Sequence, residues 1–133
     1  MNDKYRKMLG LIVTHGAFAR ELLSTVKQIV GNVDCCRSLS NTGLSDDILV
    51  EKIRDILDED KERDTIVFVD YFGGSCSMNC LRAVKGYDKA LIISGVNLPI
   101  ILDFVTKQGT MDPKQVIDNL IRRGQESVRI IDM

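Results

Sequence analysis

The sequence predicts an α/β domain built on a doubly wound, mostly parallel sheet with helices on both faces. Three observations carry this expectation. Short continuous apolar runs occur at Met8–Val13, Thr65–Val69 and Lys89–Ser94, as expected for strands covered on both sides. The stretches between them carry apolar residues at helical spacing. The regular alternation of the two patterns is that of crossover units, with right-handed connections. At 133 residues the chain suits one domain with a sizeable core. It contains no internal repeat, low-complexity tract or dividing linker.

Residues 1–7 read as a polar lead-in to the first strand, Met8 to Val13. From Ala17 the spacing of Phe18, Leu22, Leu23, Val26, Ile29 and Val30 predicts an amphipathic helix. Gly31-Asn32 ends it, because both residue types tolerate left-handed backbone. Val33 to Leu39 predicts a second, less buried strand, interrupted by Asp34, Arg37 and Ser38. Ser45 is placed to cap a helix whose buried stripe is Ile48, Leu49, Ile53, Ile56 and Leu57. Asp58 to Asp64 is a solvated connector into the clearest strand, Thr65 to Asp70. A helix over about Ser77 to Val84 follows, then a turn at Gly86-Tyr87 and a strand from Lys89 to Ser94. Pro99 suits the first turn of a helix bearing Ile100, Ile101, Phe104 and Val105. Asp112-Pro113 starts the next helix, lined by Val116, Ile117, Leu120 and Ile121 and expected to stop at Gly124. Ser127 to Ile131 alternates in part and predicts a last strand at a sheet edge.

Composition excludes several classes. With 18 basic and 19 acidic residues the net charge is -1, so no cationic footprint for nucleic acid or anionic lipid exists. No apolar stretch approaches the length of a membrane span, and the mixed-charge start lacks a signal core. A cytoplasmic location is expected. The four cysteines are Cys35, Cys36, Cys76 and Cys80. Without a secretory signal they read as small buried thiols rather than a disulfide framework. Adjacent Cys35 and Cys36 are expected on opposite faces of a strand, and Cys76 and Cys80 have helical spacing. A single histidine and no second close cysteine pair leave no metal site expected.

Three strand ends carry polar residues that a core does not need: Thr14-His15-Gly16, Asp70-Tyr-Phe-Gly-Gly-Ser75 and Ser94-Gly-Val-Asn-Leu-Pro99. In a doubly wound sheet such ends converge on the edge where ligands bind. His15 is the only histidine. It reads either as a packed loop residue or as a nucleophile, acid or base. An imidazole accepts a phosphoryl group on one nitrogen when a carboxylate orients the other and stabilises the charge that forms. Asp70 is the candidate orienter; its plainer role is a cap or loop anchor. Gly73, Gly74 and Ser75 can bring backbone N–H groups to phosphoryl oxygens as an anion nest, with hydroxyls from Ser75 and Thr14 beside them. The run is neither a nucleotide P-loop nor a dinucleotide fingerprint. No serine lies in a nucleophile elbow, which disfavours a hydrolase triad.

These motifs carry a family resemblance. Ile12-Val-Thr-His-Gly16, Val69-Asp-Tyr-Phe-Gly-Gly-Ser75 and Ser94-Gly-Val-Asn-Leu-Pro-Ile100 together resemble the IIA component of the mannose-type (mannose/fructose/sorbose) branch of the bacterial phosphoenolpyruvate-dependent sugar phosphotransferase system. The resemblance covers the full length as a single domain, 1–133. It implies that His15 is the phosphorylated histidine and Asp70 its partner at the other ring nitrogen. Thr14, Gly73, Gly74 and Ser75 then line the phosphoryl site, and Asn97, Leu98 and Pro99 shape the same crevice. The implied activity is that of a phosphotransferase component: phosphate arrives from phospho-HPr and leaves to a IIB domain, serving the IIC/IID membrane components indirectly. No cofactor or metal is required. The implied sheet order is 2-1-3-4, with a C-terminal antiparallel edge strand commonly exchanged in a homodimer. An apolar rim of Phe18, Tyr71 and Phe72 would suit docking, whereas Phe18 equally suits ordinary packing.

The chain departs from the family's usual Pro-Phe-Asn after Gly-Gly-Ser, carrying Cys76-Ser-Met-Asn79 instead. Either Met78 takes the asparagine position or Asn79 takes its role after a local shift. If exposed and acidic, Cys76 would sense oxidation beside the site. Two further functions share the phosphoacceptor chemistry: a regulatory domain that reads phosphorylation state, and a subunit feeding a dihydroxyacetone kinase. Asn97-Leu-Pro99 is closer to the mannose-type branch than to the latter.

Overall fold

The computed structural model describes residues 5–132, so the first four residues of the polar lead-in lie outside the described residues. The elements run β1 (Leu9–Thr14), α1 (Phe18–Val30), β2 (Cys36–Ser40), α2 (Asp46–Asp58), β3 (Thr65–Val69), α3 (Ser75–Val84), β4 (Ala90–Ser94), α4 (Leu98–Lys107) and α5 (Pro113–Glu126). The four strands form one parallel sheet in the order β2-β1-β3-β4, the order that the resemblance implies.

Strand alternation divides the core in two. Ile12, Ile66 and Phe68 point to the layer closed by α1, α4 and α5. Leu11, Val13, Val67 and Val69 point to the layer closed by α2 and α3. All of these strand residues are fully buried, which is why β1 and β3 read as unbroken apolar runs. Burying each such aliphatic or aromatic side chain stabilises the fold by about 1.5–3 kcal/mol relative to exposure. The edge strands β2 and β4 are only partly covered.

Capping follows the sequence closely. The Ser45 hydroxyl accepts the Ile48 N–H at 3.3 Å, Asn97 accepts that of Ile100 at 3.0 Å, and Asp112 accepts that of Lys114 at 3.2 Å. Each satisfies one N–H that a helix start leaves open. Helix α1 has no such residue at its own cap, Ala17. Its Ala19 N–H instead reaches the Thr14 hydroxyl at 2.8 Å, so the end of β1 caps the helix that follows.

At the C-terminal end one expectation is corrected, and a second, the edge strand, is not formed within the single chain. Helix α5 does not stop at Gly124 but continues to Glu126. A Cβ on Gly124 would lie 2.6 Å from Ile100 Cδ1. The glycine is there to let α4 and α5 approach, and a helical glycine costs only about 1 kcal/mol. Ser127 to Ile131 forms no strand on the chain's own sheet. Val128, Ile130 and Ile131 are 88%, 90% and 88% exposed. The segment leaves α5 without meeting the unpaired edge of β4, and a strand exists only where a neighbour accepts its hydrogen bonds.

Gly10 is the other close approach. A Cβ there would sit 2.8 Å from the Phe104 ring and 3.2 Å from Cys36 Sγ, between β1 and α4. Gly10→Ala is expected to cost about 1–3 kcal/mol through overpacking. Urea denaturation measures it; an unchanged midpoint would mean that Phe104 yields freely.

Candidate functional site

The order β2-β1-β3-β4 reverses the winding at β1, so a crevice opens above the C-terminal ends of β1 and β3. The register sets Val13 beside Val69. The residues that follow therefore emerge together, His15 just beyond β1 and Asp70 just beyond β3. Gly16 has φ +57, a left-handed turn that lets the chain leave β1 sharply for α1.

His15 Nδ1 lies 2.7 Å from Asp70 Oδ2. The same oxygen accepts the His15 backbone N–H at 3.0 Å, and Oδ1 accepts the Tyr71 N–H at 3.0 Å. Burial by itself pushes the Asp70 carboxyl up, but the bonds from His15 and Tyr71 together outweigh it and hold the group below its ordinary value. An ionised carboxylate only accepts hydrogen bonds. Nδ1 is therefore the donor in this contact, and in a neutral ring the lone pair lies on Nε2. The imidazole is 40% exposed against 15% for the carboxylate, so the ring opens to solvent while Asp70 is held inside. Tyr71 stacks on the imidazole with ring centroids 5.6 Å apart and planes inclined by 25°.

On the Nε2 side stands the start of α3. Ser75 Oγ lies 3.4 Å from Nε2. Gly74, the residue that opens the helix, offers no side-chain cap, so the positive end of α3 faces the same space. Gly73 adopts φ +104, a conformation that favours glycine. A Cβ on Gly74 would lie 2.7 Å from Tyr71 Cζ and Oη, so this glycine admits the tyrosine that stacks on His15. Ser77, which the sequence reading left without a role in the site, closes the loop. Its Oγ accepts the Gly73 N–H at 3.0 Å and donates to the Gly74 carbonyl at 2.9 Å. Its signal is a hydroxyl in the first helical turn after a glycine pair, placed to bond back to the loop.

The remaining candidates are placed differently. Thr14 is fully buried, and its hydroxyl accepts the Ala19 N–H while contacting the His15 carbonyl at 3.3 Å. It braces the histidine from behind. Asn97 caps α4, with Leu98 and Pro99 in that helix's first turn, and Pro99 lines a cavity shared with the end of α5.

The two residues of the departure after Ser75 are placed differently. Met78 is 52% exposed, whereas Asn79 is buried, donating to Asp46 Oδ1 at 2.9 Å and accepting from Arg82 at 3.3 Å. Asn79 thus ties α3 to α2. Cys76 is fully buried, and desolvation together with the Asp70 charge pushes its thiol up to about 11. The expectation of an exposed, acidic oxidation sensor there is corrected. His15, Asp70 and Cys76 bring a nitrogen, an oxygen and a sulfur within 4.8 Å of one another. Two of those three donors are already engaged in the Nδ1–Oδ2 hydrogen bond.

Residues 10–121 match the family described as PTS system fructose IIA component. No curated protein matches the sequence. Among solved structures, the mannose/sorbose specific IIA subunit of the phosphotransferase system from Enterococcus faecalis is similar, with 24% identity and a TM-score of 0.81, covering 96% of this chain and 97% of that one. The phosphotransferase system component EIIA from Streptococcus agalactiae aligns with 21% identity and a TM-score of 0.83, over 92% and 96%. A sigma-54 interaction domain protein from Enterococcus faecalis shares the fold at 13% identity and a TM-score of 0.73, over 91% and 93%. No helix among the described residues is long and apolar enough to cross a membrane.

Asp70 contributes stability that is present above the ordinary carboxylate range and lost as pH falls through its lowered folded value. Asp70→Asn should cost about 1 kcal/mol at neutral pH. That difference should hold down to roughly pH 5 and shrink below it. Urea denaturation of both proteins across this range checks the sign.

Proposed function

Because the chain belongs to the family of PTS system fructose IIA components, we propose that it is a phosphocarrier in which His15 takes a phosphoryl group from phospho-HPr and passes it to a IIB domain. The observation that carries this reading is the 2.7 Å contact of Nδ1 with Asp70, which leaves Nε2 beside Ser75 and the start of α3.

The transfer follows from that arrangement. The Nε2 lone pair attacks phosphorus in line with the donor's P–N bond. That bond breaks, its electron pair returns to the donor imidazole, and a new P–Nε2 bond forms. The His15 ring gains positive charge while Nδ1 keeps its proton, and the Asp70 carboxylate stabilises it. Ser75 and the first-turn N–H groups of α3 receive the phosphoryl oxygens. Exchange between two imidazoles is close to balanced, so positioning and fixed charge supply the rate without nucleotide or metal. The reverse sequence delivers the group to IIB.

Partner docking uses the exposed apolar side chains that flank these motifs in sequence. Phe18, Tyr71, Phe72 and Met78 are all about half exposed or more. This reading places the chain in the cytoplasm. The same reading makes the chain a homodimer in which Ser127 to Ile131 crosses to the free β4 edge of a second copy. This would bury the bare Val128, Ile130 and Ile131 and satisfy the edge.

With phosphoenolpyruvate, enzyme I and HPr, acid-labile, base-stable phosphate is expected on His15 and absent from His15→Ala. Failure to label the intact protein with a compatible HPr would defeat the assignment. Asp70→Ala should remain folded and slow transfer about 10²-fold. Onward transfer to a IIB domain distinguishes the phosphocarrier from a regulatory phosphoacceptor or a dihydroxyacetone-kinase subunit, which would be labelled on the same histidine. In analytical ultracentrifugation the full chain should sediment as a dimer and a chain ending at Ser127 as a monomer.

A further inference from the structure

At the end of the sheet opposite His15, the chain enters β2 through Cys35 and Cys36. Strand alternation would send adjacent side chains to opposite faces, which is the arrangement that the sequence leads one to expect. Cys35 still belongs to the preceding turn, and the two sulfurs lie only 4.0 Å apart. Cys36 is buried in the core layer against Gly10 and Phe104. Cys35 is half-buried and lines a cavity of about 600 Å³ between the start of β2 and the ends of α1 and α4. The charged groups facing that cavity are Lys7, Arg37 and Arg63 against the single acid Asp34. Glu59 pairs with Arg37 at 2.6 Å and lies 3.8 Å from Arg63.

We propose that Cys35 is a modification site: it exchanges with small carboxylate-bearing disulfides of the glutathione type and keeps one half as a mixed disulfide in this cavity, with Cys36 as the hydrogen-bond donor. The cavity volume is in the range of small-ligand sites. With Glu59 counted, Lys7, Arg37 and Arg63 face two acids, so the wall keeps a small net positive charge that complements the carboxylates of such a molecule. Cys36, as donor, lowers the Cys35 thiol below its ordinary value, and the Lys7 charge adds to this; burial and Asp34 oppose it. The same contact and burial push the Cys36 thiol far up.

The step balances as ordinary thiol–disulfide exchange. Cys35 gives its proton to water, and the thiolate attacks one sulfur of the disulfide. The new S–S bond forms as the old one breaks, and the departing thiolate takes up a proton. Cys35 is oxidised and the departing half is reduced. Cys36 does not resolve the product. It stays protonated, and a disulfide would require the sulfurs to close from 4.0 Å to about 2.05 Å. The Gly10 N–H bond to the Cys35 carbonyl at 2.8 Å and the Gly10–Cys36 register hold this stretch against β1. Cys76 and Cys80 serve as internal controls, being fully buried with thiols pushed up to about 11 and about 12.

The test is reaction of the reduced full chain with glutathione disulfide, followed by intact mass and peptide mapping. One glutathione on Cys35 is expected, and none on Cys35→Ser. Cys36→Ala should slow the reaction about tenfold at neutral pH and move its pH–rate midpoint upward. Cystamine, whose ends are cationic, should react more slowly than glutathione disulfide at low salt. A Cys35–Cys36 disulfide, first modification at Cys76 or Cys80, an unchanged rate in Cys36→Ala, or faster reaction with cystamine would each overturn the proposal. Mapping on the unsubstituted chain decides the site even if Cys36→Ala folds poorly. None of these readouts involves phosphate on His15.

Discussion

Asp70 Oδ2 accepts both the ring N–H and the backbone N–H of His15, and this double contact fixes the site. One oxygen joins the end of β1 to the end of β3 and sets which ring nitrogen is free. Loss of either donor would leave a partly buried acceptor short of partners. Loss of the carboxylate would free the imidazole to rotate. The Tyr71 N–H on the other oxygen anchors the loop after β3 to the same carboxylate, so that loop and His15 are positioned by one group.

Around that contact the polar residues divide into braces and chemistry. Thr14 caps α1 from within the sheet, Ser77 closes the glycine turn, and Asn79 ties α3 to α2. Each satisfies backbone or side-chain groups that burial would otherwise strand. This leaves Ser75 and the uncapped start of α3 on the open side of Nε2. Gly74 contributes by lacking a side chain, since the Tyr71 ring occupies the space a Cβ would need. These contacts form a fixed bed beneath the partly exposed imidazole.

The two ends of the sheet therefore differ in kind. At the C-terminal end of the strands, oxygen and nitrogen ligands surround an open imidazole. At the N-terminal end, the Cys35 thiol lines a cavity and contacts the buried Cys36 thiol behind it. The exposed segment after α5 belongs to neither. Its three aliphatic side chains, Val128, Ile130 and Ile131, are bare on the single chain.

The sequence by itself determined the layered α/β architecture, because β1 and β3 are buried on both faces and must be apolar throughout. It also singled out His15, Asp70 and the Gly73–Ser75 run, because polar residues at the ends of buried strands have no packing reason to be there. Helix starts at Ser45, Asn97 and Asp112 were equally legible, since capping is a local hydrogen bond. Tertiary structure alone decided what depends on a distant neighbour. Gly124 looks like a helix stop until Ile100 lies against it, and Ser127–Ile131 pairs with no strand of its own sheet. That the Thr14 hydroxyl accepts the Ala19 N–H is likewise decided by the fold. Cys35 and Cys36 look divergent until the turn before β2 brings their sulfurs together. Local patterns fix periodicity and caps, but the partner of a hydroxyl, a thiol or an edge is set by chains that meet only in the folded molecule.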